Sequence, residues 1–262
     1  MTEAQIRLSI FLGMLILMSA LEAFFPAKSR TQSRARRWPT NLGLVVIDTL
    51  AIRLLFPVIA VGAALWAESR GWGLLNALAL PLWANVFAAV IILDMLIYWQ
   101  HVAFHKIPIF WRLHKVHHAD RDLDASSGLR FHPVEIVLSM ALKMAAVVAL
   151  GAPVIAVIIF EIILNACAIF NHANVRLPRW LERPLRLVIV TPALHRIHHS
   201  VREVETNSNY GFSVIWWDRL FGSFTAKPEG TLTLGLTEYQ DDAPSGLLWS
   251  LVTPFRRAAP RD

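Results

Sequence analysis

Residues 74–105 read LLNALALPLWANVFAAVIILDMLIYWQHVAFH. From Leu74 to Tyr98 the run is mostly apolar, with a single acid, Asp94, near its end. About 20 mostly apolar residues in a helix cross the hydrocarbon core of a bilayer, so this stretch predicts a membrane span. Directly beyond it stand His101 and His105, an i, i+4 pair that a continuing helix would carry on one face. A greasy span with imidazoles at its mouth is the pattern from which the remaining sequence is read.

Four more stretches have the same character. Residues 6–25 carry charges only near their ends, at Arg7 and Glu22, and residues 42–66 are interrupted by Asp48 and Arg53. Residues 134–150 and 153–170 contain Lys143 and Glu161 and are separated by the turn signal Gly151-Ala152-Pro153. These last two form either two crossings or one hairpin that dips and returns. The expected fold is all-α: a polytopic membrane protein with four to five hydrophobic helices and a cytoplasmic histidine-rich cap, one integral membrane domain over residues 1–262. Composition agrees, with 55% hydrophobic and 17% charged residues and a mean hydropathy of +0.48. That excludes an ordinary soluble globule and a disordered chain. The single cysteine, Cys167, excludes a disulfide framework, a cysteine-based zinc site and an iron–sulfur cluster.

The net charge of +6 would suit nucleic acid, but its distribution points elsewhere. Residues 26–41, 99–133 and 171–262 hold 21 of the 25 lysines and arginines. Five spans with an external N-terminus put all three regions on one side, and the positive-inside rule makes that side cytoplasmic. The basic residues then meet acidic lipid head groups, and no nucleic-acid partner is expected. The first span is too long for a signal peptide and has its basic block on the wrong flank. The expected location is a bacterial inner membrane or the endoplasmic reticulum, with the histidine clusters and the C-terminus cytoplasmic.

Eight of the ten histidines fall into three clusters on that one side: His101 and His105; His114, His117 and His118; His195, His198 and His199. The last two clusters repeat the pattern H-x-x-H-H, whose members share a helical face. A lone histidine is usually a surface or core residue, and a lone i, i+4 pair is as readily structural as functional. The repeat on one membrane face is neither. Imidazole suits iron, copper, zinc and nickel, and eight exceed the three or four ligands of one zinc ion. They fit two metal ions, and a redox pair can activate O2 against an unreactive C–H bond. A lipid tail would reach it from the bilayer and reductant from water. His172 opens the polar region on the same face and is a candidate ninth ligand. His132, ahead of the fourth span, is open to a cap, an interface or a ligand role.

The pattern Asp94…Tyr98-Trp99-Gln100-His101…His105, Phe110-Trp111-Arg112-Leu113-His114…His117-His118, Arg130…His132-Pro133…Glu135 continues through Asn171-His172 and Thr191-Pro192…His195-Arg196…His198-His199-Ser200. It ends with Asn209-Tyr210-Gly211 and Trp217-Asp218-Arg219-Leu220-Phe221-Gly222-Ser223-Phe224. Over residues 94–224, half the chain, this resembles the fatty acid hydroxylase superfamily of membrane oxygenases. These include sterol desaturases, fatty acid and ceramide hydroxylases and alkylglycerol monooxygenase. The resemblance implies a catalytic core at 94–224, a histidine-ligated di-iron centre, O2 as co-substrate and an external electron donor. It implies metal ligation by His101, His105, His114, His117, His118, His195, His198 and His199, joined by His172. Ceramide-type members carry an extra histidine pair just before the last cluster. Here only His172 stands in that neighbourhood, so one metal is expected to have a different ligand count. The tail after Phe224 is too short for a cytochrome b5-like domain, so the donor is expected to be a separate protein or small reductant.

Three polar residues inside the spans are candidates to support the ligands. Asp94, two turns before His101, would orient an imidazole through its other ring nitrogen or make a helix–helix hydrogen bond; Glu161 and Asn165, one turn apart, would play either part. Asp218 and Arg219 read as an ion pair or cap, the tryptophans 111, 216 and 217 as interfacial anchors or channel walls, and Lys143 and Arg53 as snorkelling cations. The expected function is hydroxylation or desaturation of a fatty acyl or sterol-like C–H group, with hydroxylation favoured. A pterin-dependent ether-lipid monooxygenase on the same scaffold is the alternative. A non-enzymatic metal-binding or transport protein is disfavoured, because transport sites lie near the bilayer midplane and these clusters lie past the helix ends.

Overall fold

The computed structural model describes residues 1–78 and 80–256. Among them there is no strand, and five helical stretches are long and apolar enough to cross a membrane. The first, α1 (Glu3–Phe24), opens on a capping box between Thr2 and Gln5. The second is broken. Helix α2 (Arg34–Leu55) ends where Pro57 forces Phe56 into an extended conformation (φ −120°, ψ 97°), and α3 (Ala60–Ser69) resumes after it. The stretch expected as one run over 42–66 is therefore two helices. The third span also begins later than expected. Leu74–Ala77 forms a short turn, α4, and α5 (Leu82–Lys106) starts only after Pro81, whose fixed φ suits a helix N-terminus. At 25 residues α5 is about 37 Å long, and it carries His101 and His105 without interruption past the apolar run.

Pro108 at the first turn starts α6 (Pro108–His118). After the 3₁₀ segment Ala125–Leu129, α7 (Pro133–Leu150) descends and α8 (Val154–His172) returns. They are two separate helices joined at Gly151 (φ 62°). At this turn the backbone of Gly73 comes so close that a Cβ there would sit 2.1 Å from the Gly151 nitrogen. Glycine at both positions lets the two distal turns touch. Small side chains, Ala60, Ala63, Ala64, Ala89 and Ala156, line the packed core of the distal half. Large apolar side chains face outward, Ile16, Leu54 and Trp83 among them, as lipid solvent allows.

At the opposite end the helices meet a polar cap: α9 (Arg179–Leu185), α10 (Pro192–His198), α11 (Glu203–Thr206), α12 (Trp216–Leu220) and α13 (Leu247–Val252). Beside it, charged residues fasten the α6–α7 connection and the end of α8 to the first two spans. Arg37 on α2 forks onto both oxygens of Asp120 (2.8 and 2.6 Å) and reaches Asp124 at 2.7 Å. Burial would raise the Asp120 carboxyl, but the Arg37 charge overrides it and holds the group below its ordinary range. Glu22 on α1 is paired with Arg34 at 2.6 Å and accepts from the Ala125 and Asn174 amides. Buried ion pairs of this kind need such complete hydrogen bonding to persist.

Candidate metal centre

Nine histidines converge where α5, α6, α8 and α10 meet the cap. They divide into two groups: His101, His105, His114, His118 and His198, and His117, His172, His195 and His199. Within each group one nitrogen per ring lies within 4.8 Å of the others. The H-x-x-H-H repeats do not point all three rings at one place. His114 and His118, at i and i+4, join the first group, while His117 swings to the second. In the other repeat His195 and His199 join the second group and His198 the first. Position i+4 lies about 40° to one side of i and i+3 about 60° to the other, so one helical turn becomes a divider between two sites.

The backs of the rings are anchored. Nδ1 of His101 contacts the Tyr210 carbonyl at 2.7 Å, that of His198 the Ser208 carbonyl at 2.8 Å, and that of His172 the Ala168 carbonyl at 2.7 Å. Nδ1 of His117 faces the Arg130 carbonyl at 3.1 Å, and Nδ1 of His114 the Glu135 carboxylate at 2.7 Å. Carbonyls and carboxylates only accept, so each of these rings donates from Nδ1 and turns a bare Nε2 lone pair inward. Those lone pairs then crowd one another: His101 lies 3.1 Å from both His114 and His198, and His117 lies 2.9 Å from His172, Nε2 to Nε2. Two acceptors at that distance repel unless a cation sits among them. Protons do not serve. Burial pushes His114 down to about 3. Burial and neighbouring rings hold His117, His118, His195, His198 and His199 well below the usual imidazole range. Both ring nitrogens of His105 and His118 are buried with no hydrogen-bond partner among the described residues, a costly state that coordination relieves. The donor set therefore fits two metal ions, five imidazoles beside one and four beside the other.

A cavity of about 790 Å³ opens from the first group into the helical bundle, within the usual range for ligand sites. His101, His114 and Glu135 lie at one end, and Val45, Ile52, Phe56, Pro57 and Ile59 line its apolar reaches.

The three supporting residues expected from the spans do not reach any histidine. Asp94 is seven residues before His101, about 10 Å along the helix axis, and accepts instead from Trp217 Nε1 at 2.8 Å, tying α5 to α12. Glu161, eleven residues before His172, pairs with Lys143 at 2.7 Å and Arg7 at 2.5 Å. Asn165 bonds back to the Glu161 carbonyl of its own helix. Lys143 is thus paired inside the bundle rather than snorkelling. His132 caps α7, accepting from Val134 N and contacting the Leu251 carbonyl, outside both groups. Asp218 and Arg219 are not an ion pair: Asp218 accepts from the Tyr210 and Gly211 amides (2.7 Å each) and the Ser223 hydroxyl, and Arg219 lies over Phe224. Trp111 packs against the His105 and His118 rings. The residue that orients a ligand ring through a carboxylate is Glu135. Its sequence signal was an acid in the first turn of an apolar helix on the histidine side, which had no evident partner.

The chain belongs to the fatty acid hydroxylase family, whose model matches residues 86–223. It is 31% identical over 178 residues to an ornithine lipid hydroxylase of Rhizobium tropici, covering 68% of this chain and 52% of that protein. It is 29% identical over 162 residues to the alkylglycerol monooxygenase of Homo sapiens, covering 59% and 33%. With the lathosterol oxidase of Mus musculus the identity is 30% over 152 residues, covering 55% and 46%. The chain thus spans about half the length, or less, of these relatives. No solved structure matches it significantly.

Proposed function

We propose that the chain is an integral membrane oxygenase holding two irons, which uses O2 and electrons from a separate donor to hydroxylate a lipid C–H group. The observation that carries this reading is the pair of histidine groups with inward lone pairs at the end of a lipid-sized cavity. Residues 1–262 act as one domain with 94–224 as the catalytic core. Arg37 and Glu22, outside that core, brace it. The histidine end faces the cytoplasm and the N-terminus lies outside, as the positive-inside rule orients them, in a bacterial inner membrane or the endoplasmic reticulum.

Bound iron, kept reduced by the separate donor, would supply the electrons that activate O2 for abstraction of a hydrogen atom from carbon. The protein's own residues do the rest. His101, His105, His114, His118 and His198 hold one iron, and His117, His172, His195 and His199 the other. Glu135 and the carbonyls of Tyr210, Ser208, Arg130 and Ala168 keep the rings in the metal-binding tautomer. The apolar cavity wall positions the acyl or sterol-like carbon and keeps water away. Desaturation shares the first abstraction, and the named activities of the relatives, two of the three a hydroxylase and a monooxygenase, favour hydroxylation. The likeness to alkylglycerol monooxygenases supports a second reading, ether-lipid oxidation with a pterin as reductant. The test is metal analysis of the purified chain together with lipid profiling of cells that express it. About two irons per chain and an O2-dependent lipid product bearing one added oxygen are expected; an unchanged lipid profile or a metal-free chain would overturn the reading.

A further inference from the structure

Part of the cap lies deeper toward the bundle than the histidines do. Trp217 on α12 donates to Asp94 at 2.8 Å, and Asp94 stands about 10 Å before His101 along α5, inside the apolar run. Tyr98 Oη meets Ser223 Oγ at 2.9 Å, and the Trp99 and Phe221 ring centroids are 4.7 Å apart. Residues 216–223 therefore lie alongside the last turns of that run, at the depth where it leaves the hydrocarbon. A second stretch is tied to them. The Ile215 amide donates to the Val188 carbonyl at 3.1 Å, Trp216 Nε1 to the Leu187 carbonyl at 3.2 Å, and Arg219 to the Arg186 carbonyl at 3.2 Å.

The outer side of these two stretches mixes grease and positive charge. Leu187, Val188, Trp216 and Leu220 are all exposed, Leu220 at 69%. Beside them Arg179 and Arg183 stand one turn apart on α9, both exposed, with side chains in no hydrogen bond or ion pair among the described residues. Arg219 is exposed too, its guanidinium over Phe224. The acids of the two stretches are committed elsewhere: Glu182 accepts from Thr191 at 2.7 Å, and Asp218 from the Tyr210 and Gly211 amides. An apolar strip edged by free arginines suits the boundary between acyl chains and anionic head groups. A soluble acidic partner would meet the arginines but would not reach a strip at the depth of Asp94.

We propose that this patch of the cap is embedded in the bilayer surface on the histidine side, with Leu187, Val188, Trp216 and Leu220 among acyl chains and Arg179, Arg183 and Arg219 on the phosphates of anionic lipids. From Val188 the chain runs directly into α10, and the Val190 amide donates to the Ser213 carbonyl at 3.0 Å. The lipid contact thus steadies the segment that carries His195, His198 and His199. The inference rests on the membrane reading of the spans and is independent of the oxygen chemistry.

Nitroxide depth measurements in lipid nanodiscs test it. The full-length Cys167→Ala chain carries one spin label at a time, attached through Leu187→Cys, Leu220→Cys or Ile16→Cys, the last on the outward face of α1. Labels at positions 187 and 220 should relax more with dissolved O2 than with a water-soluble nickel chelate, as the label at position 16 should. A label at 16 that favours the chelate would overturn the membrane reading itself. Lipid depth at 16 with water exposure at 187 and 220 would overturn this proposal alone. In the unlabelled chain, spin-labelled phosphatidylglycerol should be held about fivefold more strongly than spin-labelled phosphatidylcholine, and Arg179→Gln with Arg183→Gln should cut that preference about threefold. Equal retention of the two lipids, or an unchanged preference in the folded variant, would also overturn the proposal. Should the arginine variant fail to fold, the depths at 187 and 220 still decide.

Discussion

A single oxygen atom of Glu135 decides which nitrogen of His114 is free. With the carboxylate 2.7 Å from Nδ1, the proton stays on that side and the lone pair faces inward. Glu135→Ala removes the acceptor and allows the other tautomer. Outer-shell losses of this kind typically cost about 10–100-fold in metal affinity, and a chelator-competition titration should show a drop of that size; Glu135→Gln, which keeps an acceptor oxygen, should recover most of it. The neutral state of the rings has a thermodynamic consequence too. The histidines of α6 and of 195–199 are held below the ordinary imidazole value in the folded chain, so below about pH 6.5 the unfolded chain binds more protons than the folded one. Stability of the metal-stripped protein should therefore be full above that pH and fall steadily as pH drops beneath it. Thermal melts from pH 8 to pH 5 measure this, with iron-loaded protein melting higher throughout.

At the scale of elements, the site depends on how closely loops approach helices. A Cβ on Gly128 would lie 2.3 Å from the Ala168 carbonyl and 3.2 Å from His172 Nδ1. Gly128→Ala should thus push the 3₁₀ segment off α8, disturb His172, and lower metal occupancy in the four-histidine group more than in the five-histidine group. Asp218→Ala should act through the segment 208–211, which it holds by two amides and whose Ser208 and Tyr210 carbonyls anchor His198 and His101. Unsatisfied buried donors cost roughly 1–3 kcal/mol each, so a lowered melting temperature together with weaker iron retention is expected. The spans were legible because about 20 apolar residues in a row have few other fates, and the histidines because spacing on a helix dictates a face. The break near Pro57 and the late start of α5 at Pro81 are local effects of proline that hydropathy averages away. Of the two roles open to Asp94 and Glu161, the helix–helix contact is the one taken, because axial rise, about 1.5 Å per residue, places them, like Asn165, 10 Å or more from the ligands on their own helices. The carbonyl anchors carry no side-chain signature at all.

Across the whole molecule, two features join: a helical bundle with an apolar outer face around a cavity of about 790 Å³, and a polar end whose buried charges surround nine imidazoles. Arg37, bridging α2 to Asp120 and Asp124, is the strut between them. Arg37→Met leaves two buried carboxylates without their counter-charge, a loss of about 3–5 kcal/mol, and should yield a chain that inserts in membranes yet retains little iron, as metal analysis of the membrane fraction would show. The central claim is that these imidazoles form two adjacent iron sites. Anomalous diffraction from crystals of the iron-loaded protein, recorded at the iron edge, reads that directly. Two peaks should appear, one amid His101, His105, His114, His118 and His198 and the other amid His117, His172, His195 and His199; a single peak, or none within reach of these rings, would contradict it.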